Sequence, residues 1–486
     1  MNRLNRPCLP PGHPAAAILG LLLAGCAAVG PDYQRPAAPL PVTYPEAAGA
    51  PGTEAAARVK QRWWTLFDDA TLDRLVDLAL NNNLDLQAAV SRVEEAEALG
   101  REAGAVFYPE IDLDAGPSRT RSAATANSGP SVQTKYRAAL TTAFELDVWG
   151  KLRRANEAAR AQVLASRYGR DTVQLSIAGL VASNYLVLRA YDAQLAVTQD
   201  TITSREASLK IVRSRLDAGF ASPLDMHQAE GSLAAAKAQI ASLRQQRALA
   251  EHQLALLTGV PGLTIAVGDL RQLPLPLIPP TGLPSSLLET RPDVRQAEEE
   301  LVAANAQIGV AKAAFFPTIA LTGKVGSESL ELANLFSSPA NVWSLGLGLV
   351  TPIFDAGRRE AQVDQAAAQR EQAVASYRKT VQTAFVEVND ALVSLRENAT
   401  AEQAQAIQIE AASKTLQLAQ TRYEAGYSGY LEVLDAQRTA NDALLSYIAT
   451  RRSRLTAAVD LFKALGGGWT DDNRPGRSDS VFQRAQ

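Results

Sequence analysis

Thiols are almost missing from this chain of 486 residues: Cys8 and Cys26 are its two cysteines, both ahead of the body of the sequence. A disulfide framework is therefore excluded, and so is a cysteine-ligated metal site in the body. Histidine is as scarce, with His13, His227 and His252 too far apart in type and number to build metal catalysis on clustered imidazoles. Charge of one sign is missing too. The 48 basic and 51 acidic residues leave a formal net charge of −3, without the basic excess that a nucleic-acid partner calls for. No P-loop supplies nucleotide energy. Gly426-Tyr427-Ser428-Gly429 misses the G-x-S-x-G spacing by one residue. Carboxylate pairs such as Glu94-Glu95 and the run Glu298 to Glu300 read as helical surface charge. The chain reads as no enzyme, with no metal and no cofactor apart from a covalent lipid considered below. Proline is absent from Ser131 through Ser222 and again from Ile353 through Arg474, which permits very long helices.

What is present begins with an address. Arg3 and Arg6 precede the short apolar run from Ala15 to Leu23, the size of a signal-peptide core and too short to span a membrane. Leu23-Ala24-Gly25-Cys26 then fits a bacterial lipobox, with cleavage before Cys26 and a lipid on its thiol. Ala27, rather than aspartate, favours the outer membrane. Each buried acyl methylene contributes roughly 0.8 kcal/mol, so two or three chains anchor firmly. Ten of the 25 prolines fall in the first 51 residues, a composition that favours an extended tether. Packing is expected to begin at Trp63, Trp64 and Phe67.

The rest reads as two repeats about 207 residues apart. Gly150 and Gly357 each close a strand-like segment that feeds a long helical run, and Gly219 matches Gly426 within RLDAGFASPLD and RYEAGYSGYLE. Each half opens with a helix (Leu84 to Gly104; Asp293 to Ala314), followed by segments of period two. Ile111, Leu113 and Ala115 alternate with Glu110, Asp112 and Asp114; Tyr136, Ala138, Leu140, Thr142, Phe144 and Leu146 share one face. Ile319 and Leu321, then Trp343, Leu345, Leu347 and Leu349, alternate likewise. Such segments suit strands of a membrane β-barrel, and alternation alone suits a half-buried soluble hairpin equally well. From Gly150 to Leu216 is about 66 residues, or about 100 Å as helix. Val374, Val381, Val388 and Leu395 recur every seven residues, with Tyr377, Ala384 and Ala391 between, a coiled-coil spacing. Gly219 and Gly426 turn each helix back into a hairpin, and Gly259 and Gly466 to Gly468 end it.

Four strands cannot close a barrel, and an open edge in lipid leaves backbone groups unpaired at several kcal/mol each. If these strands cross a membrane, copies must share one barrel. Eight strands leave an interior filled by side chains, so a passage calls for three copies or more.

The residues resemble the TolC-type outer-membrane channel family, in its lipoprotein (NodT-like) branch of RND multidrug efflux outer-membrane factors. The resemblance rests on Cys26-Ala27-Ala28-Val29-Gly30-Pro31-Asp32-Tyr33, Trp63-Trp64, the run from Arg291 to Pro317, and Tyr430-Leu431-Glu432-Val433-Leu434-Asp435-Ala436-Gln437. It implies a mainly α fold with a β-barrel membrane part: a homotrimer with a twelve-stranded shared barrel and a long periplasmic α-barrel. It implies a periplasmic gate, for which Leu431 matches an apolar constriction position and Glu432 and Asp435 match acidic rings. Some members lock that gate with an arginine where this chain has Ser428; Tyr423 is retained and is expected to bond to the neighbouring hairpin. It also implies hairpin tips, at Gly219, Phe220, Gly426 and Tyr427, that meet a periplasmic adaptor linked to an inner-membrane pump.

The expected organisation is a signal peptide at 1–25, a lipidated extended tether at 26–60, a first repeat at 61–280 (strands about 108–148, hairpin about 150–259), a second repeat at 281–468 (strands about 316–355, hairpin about 357–466) and a flexible tail at 469–486. The expected function is a passive exit duct for toxic compounds in a tripartite efflux system, with outer-membrane lipid around it and no nucleic acid. A protein-secretion duct of the same architecture and a coiled-coil lipoprotein scaffold or adaptor are the alternatives.

Overall fold

The structure is a computed structural model, and it describes residues 28–37, 40–41, 43–45, 62–123, 129–278 and 287–467. The expected signal peptide, the lipid-bearing Cys26, parts of the tether and the carboxy-terminal tail lie outside the described residues. The fold is mainly helical with one sheet, the class that the sequence predicts.

Helix α1 (Ala70–Asn82) is followed by α2 (Leu84–Ala105), strands β1 (Glu110–Ser122) and β2 (Ser131–Leu146), and the hairpin of α3 (Lys151–Asp217) and α4 (Pro223–Thr258). The order then recurs: α5 (Pro292–Ala313), β3 (Thr318–Ser329), β4 (Asn341–Val350), α6 (Arg358–Glu424) and α7 (Tyr430–Ala464). Helices α3 and α6 have 67 residues each, and α2 and α5 have 22 each, close to the spans that the sequence suggests. Proline-free, alanine-rich sequence makes such lengths possible, since neither ring clashes nor chain-entropy penalties interrupt the ladder.

The chain divides into two compact units. One comprises 1–36, 94–165 and 297–377; the other comprises 37–93, 166–296 and 378–486.

The first unit holds the sheet, a single antiparallel layer in the order β1-β2-β3-β4. Its register carries the alternation of each strand across all four. Leu113 opposes Leu140, Leu140 opposes Val325, and Val325 opposes Trp343, so these four share a row on one face. Ile111, Thr142, Gly323 and Leu345 form the next row, then Phe144, Leu321 and Leu347, then Leu146, Ile319 and Leu349. Among the described residues nothing covers this apolar face: Trp343 is 80% exposed and Leu347 70%. The other face is polar. There Glu328 accepts from Lys135 Nζ at 3.0 Å, from Arg137 Nε at 3.0 Å and from Lys324, while Arg137 also reaches Asp114 at 2.9 Å. Among the described residues, strands β1 and β4 each pair on one side alone.

The same unit corrects the picture of the tether. Its first residues are extended but not free, and packing starts well before Trp63. Val29 N donates to Trp149 O at 2.9 Å, Arg154 donates to Asp32 at 2.7 Å, and Asn305 Nδ2 donates to Pro31 O at 2.9 Å. Arg35 grips Glu298 with two bonds of 2.6 and 2.8 Å, and Tyr33 OH adds a third at 3.2 Å. Glu298 is thus a nearly buried anchor rather than surface charge. A proline-rich composition describes backbone stiffness and cannot reveal partners more than 260 residues away. Gly150 has φ +80°, and a Cβ there would lie 2.5 Å from that of Ala28, so both its turn and its neighbour require glycine.

The second unit holds the main core. Trp63, Trp64 and Phe67 do pack, with Leu72 and Leu75 of α1, Tyr185 and Leu188 of α3, Leu254 of α4, and Leu455 and Phe462 of α7. Tyr44 is buried in the same unit, stacked 5.5 Å from Phe385. The heptad positions Val381, Val388, Ala384 and Ala391 of α6 are buried. A polar seam pins the segment after α4. Asp192, fully buried, accepts from Arg189 at 3.1 Å, from Arg247 at 2.7 Å and from Gly268 N at 3.0 Å, and both arginines also donate to carbonyls of that segment.

Candidate functional site

The hairpin turns lie in the second unit. Gly219 and Gly426 have φ +79° and +81°, and a Cβ on either would meet nothing within 4 Å. Left-handed turn geometry, and not crowding, is what requires glycine there. Beyond each turn stands an aromatic: Phe220 is 82% exposed and Tyr427 80%. The structure thus places all four expected tip residues at the ends of the two hairpins, exposed and without partners from the core.

The two turns are built unequally. Ser222 caps α4 with a capping box: its Oγ accepts from Asp225 N at 3.2 Å, and Asp225 accepts from Ser222 N at 3.0 Å, with Pro223 at the first helical position. Helix α7 starts from Gly429 with no side-chain cap, and the Oγ of Ser428 has no hydrogen-bond partner among the described residues.

Leu431, Glu432 and Asp435 stand on the exposed face of the first turns of α7, opposite Val433 and Ala436, which are buried. The three positions are brought together as one face, since residues three and four apart are neighbours on a helix. Neither acid is alone. Glu432 lies 4.0 Å from Arg422, and Asp435 accepts from Arg438 at 2.8 Å; all four side chains are more than half exposed, so each pair is weak.

Tyr423 meets the neighbouring hairpin, but not through its hydroxyl, which is buried without a hydrogen-bond partner among the described residues. Its ring lies 4.5 Å beneath the Arg215 guanidinium and 5.7 Å from the Tyr430 ring. Its carbonyl accepts from Arg215 Nη1 at 2.7 Å, and the Glu424 carbonyl accepts from Nη2 at 2.8 Å. One arginine at the end of α3 therefore caps the end of α6, satisfying two carbonyls that a helix terminus leaves open. Burial raises the Tyr430 hydroxyl above the usual phenol range, which keeps it neutral. Further up, Gln437 Nε2 donates to Ser208 at 3.0 Å and Thr201 Oγ1 donates to Asn441 at 2.9 Å, continuing the seam between α3 and α7.

Arg215 escaped the sequence reading. The signal was available: Arg215 and Arg422 occupy the same place in RLDAG and RYEAG, 207 residues apart. The repeat does not say that one arginine crosses to the other hairpin while its counterpart stays at its own turn. Among the described residues no group of His, Cys, Asp and Glu could hold a metal ion.

Comparison with known proteins adds three findings. The family described as outer membrane efflux protein matches in two stretches, residues 75–260 and 283–467, one for each repeat. The solvent efflux pump outer membrane protein SrpC of Pseudomonas putida is 38% identical over 457 residues, 93% of this chain and 97% of that protein. Outer membrane protein OprJ of Pseudomonas aeruginosa is 36% identical over 480 residues, 96% and 99% of the two chains. Among solved structures, the outer membrane channel MtrE of Neisseria gonorrhoeae, in its open state, superposes with a TM-score of 0.80 at 31% identity, over 91% of this chain and 98% of that one.

Proposed function

The chain belongs to the outer membrane efflux protein family, and from that premise we propose that it is the passive exit duct of a tripartite efflux system. It resides in the outer membrane with a periplasmic extension. Three copies share one barrel of twelve strands, and the lipid on Cys26 anchors each copy. The observation that carries this reading is the sheet. Among the described residues it has four strands, an apolar face with no cover and two unpaired edges. In hydrocarbon those edges cost several kcal/mol for each orphaned backbone group, so a solitary copy is excluded from the bilayer core. Two copies would close eight strands around a filled interior, whereas three leave room for a passage.

The polar face then lines the lumen. Leu431, Glu432 and Asp435 form the periplasmic constriction, where three copies stack their acids into rings that disfavour anions. Without an arginine at position 428, closure rests on ties such as that of Arg215. Phe220 and Tyr427, with the turns at Gly219 and Gly426, offer the apolar tips to a periplasmic adaptor, and an inner-membrane pump supplies the energy. The chain contributes a path, with no catalysis and no cofactor beyond its lipid. The cargo is small toxic compounds, the class to which solvents, the cargo in the name of SrpC, belong.

Purification of the mature lipoprotein in detergent, with mass measurement and single-channel recording, tests the duct. Three copies with a cation-preferring conductance are expected. A solitary, water-soluble chain without conductance would sink the reading. Deletion of the gene, followed by susceptibility profiling, separates drug efflux from protein secretion: raised sensitivity to small compounds is expected, with secreted proteins unchanged.

A further inference from the structure

We propose that Arg119 and Arg121 bind the phosphates of a glycolipid of the outer leaflet, at the rim of the barrel that faces the exterior. This rests on the outer-membrane reading above. The pairing of β1 with β2 is unbroken: Leu113 opposes Leu140, Arg119 opposes Thr134 and Arg121 opposes Val132. Both arginines therefore stand on the apolar face, in line with Ile111, Leu113, Ala115 and Pro117. Among the described residues they are the only charged ones on that face of the four strands; every other charge of the sheet stands on the polar face. Both side chains are exposed, and neither makes a hydrogen bond or ion pair among the described residues. No aspartate or glutamate occurs from Ala115 through Phe144, so the hairpin that carries them supplies no carboxylate. Strand β4, which closes against β1 of the next copy in the trimer, has no charged residue at all. The two guanidinium forks are thus left for an anion from outside the protein.

Side and depth follow from the strands. Helices join the sheet at one end, at Ala105, Lys151, Ala313 and Arg358, whereas β1 and β2 meet in a hairpin at the other. With the helices in the periplasm, that hairpin faces the exterior. Arg119 is eight residues beyond Ile111, the first apolar residue of β1 on this face, and Arg121 is ten beyond it. At about 3.4 Å per residue and a tilt of about 40°, the two stand roughly 20 and 26 Å above Ile111. The apolar band of a membrane barrel is about 25 Å tall, so the pair brackets its outer rim. A charge on the lipid face is costly at the midplane and nearly free at the interface. Long stems carry both guanidinium groups into the headgroup layer. Tyr136 of β2 and Trp343 of β4 stand toward the same end of this face, as an aromatic girdle does. Each fork takes a phosphate with two parallel bonds. Two forks on Cα atoms about 7 Å apart favour a headgroup with more than one phosphate.

The test uses the intact lipidated trimer, stripped of lipid in detergent and titrated with diphosphorylated lipid A, with bound lipid counted by native mass spectrometry. One tightly held molecule per copy is expected. Dephosphorylated lipid A, and phosphatidylglycerol with its single phosphate, are each expected to bind the parent protein about tenfold more weakly. Arg119→Gln combined with Arg121→Gln is expected to weaken retention of diphosphorylated lipid A about thirtyfold. Arg119→Lys combined with Arg121→Lys keeps the charges without the forks and belongs between. All variants keep the parent conductance, since neither residue faces the passage. Equal retention of dephosphorylated lipid A or of phosphatidylglycerol, or full retention by the glutamine variant, overturns the site. Loss of conductance and trimer in the parent protein would instead overturn the duct.

Discussion

Arg215→Ala is expected to loosen the closed tip. The side chain donates two charge-assisted bonds, of 2.7 and 2.8 Å, to the last carbonyls of α6 and stacks 4.5 Å over Tyr423. Buried bonds of this kind contribute about 1.5–3 kcal/mol each. Here one is half-buried and the other exposed, which discounts the pair to about 1.5–2 kcal/mol in total. The contact with the ring adds about 0.5–1 kcal/mol. Loss of the tie therefore shifts the balance between tied and parted hairpins by about 2–3 kcal/mol per copy, roughly 30- to 150-fold in population. Planar bilayer recording reads this directly, as a rise in open time at zero load. In cells it is expected to read as increased entry of bulky hydrophilic antibiotics. Arg215→Lys keeps a charge over the ring but loses the fork, so it belongs between the two. If Arg215→Ala assembles as a trimer and its open time matches the parent, the tie does not hold the gate.

Replacement of Glu432 and Asp435 together by Ala is expected to weaken cation preference and block by multivalent cations, measured as reversal potential in a salt gradient; unchanged selectivity refutes their role as rings. Asp192→Ala leaves Arg189 and Arg247 without the buried carboxylate that holds both, and is expected to cost about 3–5 kcal/mol in denaturant unfolding. A loss below 1 kcal/mol would mean that water replaces the carboxylate freely. Glu402 gives a pH test. Burial opposes its ionisation, but donation from Arg454 at 2.6 Å and Arg451 at 2.9 Å outweighs burial and holds it below the usual carboxylate range. A depressed carboxylate contributes stability above its unfolded value, near pH 4.3, that is lost as pH falls through the lower folded value. Glu402→Gln is thus expected to flatten the fall of Tm with acid below about pH 4, and an unaltered slope refutes it. Leu113→Arg puts a charge in the uncovered row that Leu140, Val325 and Trp343 complete, and is expected to cost about 2–4 kcal/mol and to deplete the heat-resistant trimer on gels.

Much of the architecture was legible because it is periodic. Alternation placed Ile111, Leu113, Leu140, Leu321, Trp343 and Leu347 on one face, and the register joins those faces into one. The heptad of α6 marked its buried seam, and paired glycines marked both turns. What escaped is aperiodic and distant in sequence. Glu298 looked like one of three surface acids because nothing local reveals that Arg35 lies against it. Tyr423 pointed correctly to the neighbouring hairpin, yet its hydroxyl, the obvious bonding group, is idle, and its ring and carbonyl make the contact. Arg215 was invisible for a different reason. Two copies of one motif carry the same residue, and only the fold distinguishes the copy that crosses between hairpins from the copy that does not.

That asymmetry bears on which hairpin moves. Duplication gives both halves the same helices, but their turns are secured differently. The first has a capping box and a proline at the start of α4, and caps of this kind stabilise a helix end by about 1 kcal/mol. The second begins α7 at an uncapped glycine, with the Ser428 hydroxyl unbonded nearby. Glu432, in the first turn of α7, complements the helix dipole, but its partner Arg422 stands 4.0 Å away and both are exposed. The second hairpin is therefore held chiefly from outside itself, by Arg215 of the first and by the packing of Tyr423 and Tyr430. A tip fixed internally can serve as a frame, whereas one fixed by a neighbour is released when that neighbour shifts. The acids expected to line the constriction belong to the second hairpin, so the less secured element is also the one that carries the proposed gate.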